Sequence, residues 1–245
     1  MIQIRQKTER LLKHAALVLV IAGFTSVASA SISLDYLVNT AGATLQIGDK
    51  IFGNFTWDGP SGPAGITVTG IGDGSAENLY GISIGGALSQ VGLGSSGRGI
   101  SDWRLGYSVT IAPDSGQFIS DIHQYVNVNG SLGSFVNVSE DVLDAPAGLI
   151  VASSHVGLGR TFKYFDQTDP PAELNDVLIL TTPLKQVWIK KDIYLQAFGP
   201  DEYVIVSNIE QRFSQVPEPT TMIAGALLLL PFGVSTLRIL RKRKA

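Results

Sequence analysis

Between Ser31 and Gln215 apolar residues recur at every second position in run after run, and no window carries a convincing helical period. Alternation of this kind sets one face of a chain against a core and the other in water, so it predicts strands. The clearest run places Trp103, Leu105, Tyr107, Val109 and Ile111 on one face and Arg104, Gly106, Ser108 and Thr110 on the other. A second run, Ile51, Gly53, Phe55 and Trp57 against Phe52, Asn54 and Thr56, is apolar on both faces and predicts a more deeply buried strand. Further strands are predicted at 66–69, 80–84, 118–128, 134–138, 149–153, 161–165, 177–181, 187–198 and 203–209. Between them lie Asp58-Gly59-Pro60-Ser61-Gly62-Pro63, Asp73-Gly74, Ser95-Ser96-Gly97, Asn129-Gly130 and Gly199-Pro200-Asp201, all with turn chemistry. Asn129-Gly130, flanked by Val-rich runs, predicts a hairpin. Many short strands without intervening helices predict an all-β fold, an antiparallel β-sandwich of jelly-roll type. Residues 31–214 suffice for one such domain, and neither a linker nor an internal repeat divides them.

The two ends break the pattern. Residues 1–30 run from a basic head through Ala15 to Phe24, all apolar or small, to Ala28-Ser29-Ala30. A basic head, a short apolar run and a small-x-small site predict a secretory signal peptide, a helix removed to leave Ser31 as the mature N-terminus. At the other end the uncharged stretch from Thr221 to Leu237 is about the shortest that can cross roughly 30 Å of hydrocarbon as a helix. Arg238, Arg241, Lys242, Arg243 and Lys244 follow it and predict a cytoplasmic C-terminus by the positive-inside rule. The body is thereby placed outside the inner membrane. Just before the span stands Val216-Pro217-Glu218-Pro219. Two prolines fix φ and remove two amide donors, so this segment is expected to stay extended and unpaired, where a protease can grip it.

A Pro-Glu-Pro tripeptide, an apolar span and a basic tail in that order resemble the PEP-CTERM sorting signal of Gram-negative bacteria that export polysaccharide. The resemblance covers about 30 residues, and the same segment is also labelled an ice-binding protein C-terminal domain, a label that says nothing about ice. It implies recognition by an exosortase-type processing enzyme, cleavage near Pro-Glu-Pro, and delivery to the surface or outside the cell. Residues 47–55, 119–122 and 205–213 of the body are also similar to segments of all-β exported proteins that carry this signal. The expected organisation is a signal peptide at 1–30, a sandwich at 31–214, and a sorting signal with one transmembrane helix at 215–245.

Composition narrows the function. Charged residues make up 16% of the chain against about 25% in an average soluble domain, and the net charge of −3 hides a basic head and tail around an acidic middle. An acidic body excludes nucleic acid as its partner. The chain has no Cys, so disulfides, thiol nucleophiles and Cys-ligated zinc are excluded and stability must come from the core.

Chemical motifs are weak. Gly81-Ile82-Ser83-Ile84-Gly85 matches G-x-S-x-G, but the flanking isoleucines read as strand where a nucleophile elbow needs strand, turn and helix. Gly92-Leu93-Gly94-Ser95-Ser96-Gly97 matches G-x-G-x-x-G, but a strand follows it where a phosphate site needs a helix N-terminus. His123 and His155 lack metal-ligand spacing. Two acidic loops, Glu140, Asp141 and Asp144, and Asp166, Asp169, Glu173 and Asp176, lack calcium-loop spacing and read as solvated. Trp103 belongs to an apolar face, whereas Trp57 and Trp188 are candidate sugar-stacking residues. The residues therefore predict no catalytic, metal or cofactor site. The expected function is a structural or adhesive one for a non-enzymatic exported protein whose partners are the membrane, the processing enzyme and exopolysaccharide. The alternative is a carbohydrate-active module, binding or hydrolytic.

Overall fold

The computed structural model describes residues 31–76, 79–91, 99–131, 134–158 and 174–217. Its strands are β1 (Ser31–Ser33), β2 (Thr44–Ile47), β3 (Lys50–Asp58), β4 (Ile66–Ile71), β5 (Gly81–Val91), β6 (Gly99–Ile111), β7 (Gln117–Gly130), β8 (Phe135–Leu143), β9 (Ile150–Leu158), β10 (Asn175–Leu184), β11 (Gln186–Ala197) and β12 (Tyr203–Pro217). They pair into two antiparallel sheets of six, the first ordered β1-β4-β5-β12-β7-β10 and the second β2-β3-β6-β11-β8-β9.

The alternation explains the sandwich. Trp103, Leu105, Tyr107, Val109 and Ile111 of β6 are all buried while Asp102 and Arg104 between them are exposed. Val204, Val206, Ile209 and Phe213 of β12 are buried in the same core. Each such side chain contributes about 1.5–3 kcal/mol of burial, so neither sheet is stable until its apolar face meets the other. One aromatic pair marks the meeting, Phe52 of β3 packing edge-on against Phe213 of β12 with centroids 5.7 Å apart, while Phe55 stacks on Tyr107 within the second sheet at 5.4 Å. A polar tie joins the same strands, since the buried Lys50 ammonium donates to Gln215 Oε1 at 2.6 Å and to its neighbour Asp49 at 3.0 Å.

Several expectations need correction. Strict alternation puts Phe52 and Phe55 on opposite faces, yet both are buried. Asn54 adopts φ 55° and the pairing of β3 with β6 shifts between Gly53 and Thr56, a bulge that turns Phe55 back to the core. Asn129-Gly130 does not form a hairpin. Both residues belong to β7 and pair with Ile205 and Val204 of β12, and β8 begins in the other sheet. A partner strand for those residues outweighs their turn preference. A short helix, α1 (Leu34–Asn39), falls where no helix was expected, too short to show a period. Ser33 caps it by accepting from the Tyr36 amide, and Leu34 and Leu37 are buried. Finally, β12 passes the expected boundary at 214, with Val216 and Pro217 paired against Phe118 and Gln117. The expectation that these two stand unpaired fails. Pro217 is tolerated because it occupies the last position of the strand.

Among the described residues no helix is long and apolar enough to cross a membrane. The signal peptide at 1–30 with Ala28 and Ala30, the sorting residues Glu218 and Pro219, the span, the basic tail, the 92–97 motif, the 161–165 strand, and Asp166, Asp169 and Glu173 lie outside the described residues.

Candidate functional site

The outward face of the second sheet gathers charged, polar and aromatic side chains in register. Register carries a continuous row across five strands: Asp58 of β3 opposite Arg104 of β6, then Asp192 of β11, Ser139 of β8 and His155 of β9. The flanking rows add Thr56, Gly106, Lys190, Asp141 and Ser153 on one side, and Asp102, Tyr194, Asn137 and Gly157 on the other. Trp188 lies one step further along β11, opposite Ser108, and is half-buried. Trp188 and Tyr194 share this face, about 20 Å apart at roughly 3.3 Å per residue. The Tyr194 ring meets Phe135 edge-on at 5.8 Å, and its hydroxyl donates to Gln196 Oε1 at 3.0 Å. Both contacts hold the ring in place.

Two carboxyls dominate the middle of the face. Asp192 and Asp102 are diagonal neighbours on β11 and β6, with Arg104 directly opposite Asp192. Partial burial pushes the Asp192 carboxyl above the usual range first, the hydrogen bond and the charge of Asp102 push it further, and Arg104 opposes them. Asp192 Oδ1 and Asn137 Oδ1 are buried without a hydrogen-bond partner.

The candidate tryptophans are not brought together. Trp57 pairs with Leu105 on the inner side of β3, and its Nε1 donates to the Ser61 carbonyl at 2.8 Å. Trp103 is buried as expected, its Nε1 reaching Ser61 Oγ at 3.1 Å. Trp57 and Trp188 thus face opposite sides of one sheet, and only Trp188 stands on the polar face. Ser83 lies inside β5, paired with Thr69 and Glu210, and its hydroxyl donates to Asn208. No sharp turn exposes it. His123 binds Asp121 Oδ1 at 2.8 Å and Ser214 Oγ at 3.3 Å, but both through Nε2. A catalytic triad needs the acid and the nucleophile on different ring nitrogens, so this trio is not one.

The first acidic loop is dispersed in the same way. Glu140 faces the core, Asp141 the outward face, and Asp144 Oδ1 accepts from the Leu149 amide at 2.9 Å. Asp176 accepts from its neighbour Val177 N at 2.7 Å. Among the described residues no three His, Asp or Glu side chains converge to hold a metal.

A second polar group, missed from sequence, sits between the sheets. Lys191 of β11 donates to Glu140 Oε2 of β8 and to Gln124 Oε1 of β7, and the Lys191 and Glu140 side chains are both 0% exposed. Gln211 of β12 donates to Glu140 Oε1 at 2.8 Å, and Tyr107 donates to Gln211 Oε1 at 3.1 Å. Gln124 Nε2 reaches the Val138 carbonyl at 3.3 Å and Ser154 Oγ at 3.2 Å. Burial pushes the Lys191 ammonium below its ordinary pKa against the pull of Glu140. It also holds the Tyr107 hydroxyl well above its own, with the Glu140 charge adding to the rise. The signal was visible, since Gln124, Glu140, Lys191 and Gln211 each sit on a core face between apolar residues two positions away.

No protein-family model matches the chain, and no curated protein matches it either. Solved structures with some likeness include a carbohydrate-binding module, TmCBM61, in complex with β-1,4-galactotriose. It is 10% identical, covers 66% of this chain and 89% of its own, and has a TM-score of 0.31. Endoglucanase 3 of Trichoderma harzianum, from family GH12, is 12% identical over 66% of this chain and 98% of its own, with a TM-score of 0.27. Tailspike protein 4 of bacteriophage CBA120 is 10% identical over 74% of this chain and 22% of its own, with a TM-score of 0.26. Likeness at this level transfers neither ligand nor reaction.

Proposed function

We propose that this chain is an exported surface or matrix protein that binds polysaccharide without cleaving it, through the outward face of its second sheet. The observation that carries the reading is the composition of that face. Trp188 and Tyr194 offer flat rings to the apolar side of sugars, while Asp102, Asn137, Lys190 and Asp192 between them offer donors and acceptors to hydroxyls. The strand order, with the chain passing repeatedly between the two sheets, supports the jelly-roll type. Export and retention rest on the signal peptide at 1–30 and on the resemblance of 216–244 to an exosortase-processed sorting signal.

Titration calorimetry with the host's own exopolysaccharide tests the reading. Binding is expected, with loss of affinity in Trp188→Ala and Tyr194→Ala and no release of reducing ends. An absence of binding, or binding that both variants retain in full, would refute it. Fractionation of Glu218→Ala tests sorting separately, since retention in the inner membrane is expected and delivery like the wild type would refute processing at that motif.

A further inference from the structure

Three groups of matched chemistry meet in the dry interior. The Lys191 amine touches both the Gln124 carboxamide and the Glu140 carboxyl, with no exposed side-chain surface on Lys191 or Glu140. We propose that Lys191 and Gln124 form an intramolecular isopeptide bond, in which the lysine amine displaces ammonia from the glutamine side chain and joins the two sheets covalently.

The geometry supplies each part of the step. Lys191 Nζ already holds Gln124 Oε1, one bond from the carbon it would attack. The Gln124 nitrogen is held on the far side by the Val138 carbonyl and Ser154 Oγ, so the carboxamide cannot turn away. Gln211 and Tyr107 in turn hold the Glu140 carboxyl in place. An ammonium has no lone pair, so the amine must first lose a proton, and Glu140 is the acceptor in contact with it. Burial favours that neutral form of Lys191.

The atoms balance without an outside reagent. Lys191 passes one proton to Glu140, its nitrogen bonds to Gln124 Cδ, and the bond from Cδ to Nε2 breaks. A second Nζ proton moves to the departing nitrogen, which leaves as ammonia. What remains is a secondary amide, a neutral Glu140 carboxyl and no charge. A buried ion pair retains a desolvation penalty that a neutral amide avoids, so the product suits this interior better than the reactants do. Because Gln124 belongs to the first sheet and Lys191 to the second, the bond would brace the sandwich across its core. In a chain without cysteine this is a covalent staple that needs no oxidant.

Peptide mapping of the purified full-length protein tests the proposal. After denaturation and trypsin digestion, a branched peptide is expected that joins the segment containing Gln124 to the segment containing Lys191. Its mass should be one ammonia below the sum, and trypsin should not cut after Lys191. Unlinked peptides alone would overturn the proposal, and a branched species lighter by one water would overturn the assignment to Gln124, because that bond would be to Glu140. Glu140→Leu, checked for folding by circular dichroism, is expected to give only unlinked peptides. A linked product from it would overturn the role of Glu140, and if that variant does not fold the wild-type map alone decides.

Discussion

Replacing Asp192 by Asn is expected to stabilise the protein at neutral pH. Asp192 stands opposite Arg104 and diagonal to Asp102, and burial together with Asp102 raises its pKa more than Arg104 lowers it. The folded state therefore holds this proton more tightly than the unfolded chain. Between the ordinary value of 3.8 and the raised one, folding takes up protons, so the stability from this group is fully present below 3.8 and is lost as pH rises through the raised value. At neutral pH burial and the neighbouring Asp102 disfavour a charge on Asp192, and Asn, of the same shape, removes that charge while its amide can donate to Asp102. Cross-strand charge pairs contribute about 0.2–1 kcal/mol. Asp192 is half-buried and Asp102 exposed, so screening keeps the gain inside that range, at about 0.5–1 kcal/mol. For a domain of this size that is a rise of about 1–4 °C in melting temperature. Circular dichroism melts at pH 7 and pH 3 provide the assay, with the gain expected at pH 7 and nearly gone at pH 3. Asp102→Asn should give a similar gain, and the double variant little more than either, because one repulsion is removed in all three. A lower melting temperature for Asp192→Asn at pH 7, or an equal gain at pH 3, would refute the reasoning.

Gly81→Ala is expected to lose about 1–3 kcal/mol in urea unfolding, because an added Cβ would lie 1.9 Å from the Gln211 carbonyl and only backbone movement can relieve that. Unchanged stability would show that β5 and β12 part easily there. Phe52→Ala should lose about 3–5 kcal/mol by the same measurement, since Phe52 is fully buried against Phe213 and Tyr107; a loss under about 1 kcal/mol would mean the two sheets close over the gap. Calcium should raise the melting temperature no more than sodium at equal ionic strength through the 140–144 segment, whose carboxylates diverge. A calcium-specific rise in calorimetry that Asp141→Asn or Asp144→Asn abolishes would contradict this.

Strand character and facing were legible wherever two-residue alternation ran unbroken, as along β6 and β11, and there the sequence placed Trp103 inside and Trp188 outside correctly. It failed where one residue interrupted the period. The bulge at Asn54 reversed the facing beyond it, and the Asn129-Gly130 signal yielded to a partner strand more than seventy positions away. Local preference carries no information about such a partner, which is set by the core as a whole. The polar face was half legible. Lys190, Asp192, Tyr194 and Gln196 share a parity with Trp188, but the rows they complete with Arg104, Asn137 and His155 exist only through register. The interior group was legible in principle, because a glutamine, a glutamate and a lysine on apolar faces of separate strands must find partners or destabilise the core.

The last strand described lies in the middle of its sheet, with β5 on one side and β7 on the other. A chain delivered from its N-terminal end therefore has only two unjoined fragments of this sheet, β1-β4-β5 and β7-β10, until residues 203–217 arrive. Until then the apolar row of Val204, Val206, Ile209 and Phe213 is absent from the core, and the second sheet faces an incomplete partner. Closure of this sheet waits on residues 203–217. The same placement governs detachment: β12 cannot leave the sheet without breaking its ladders to both β5 and β7, whereas an edge strand would break a ladder to one neighbour only.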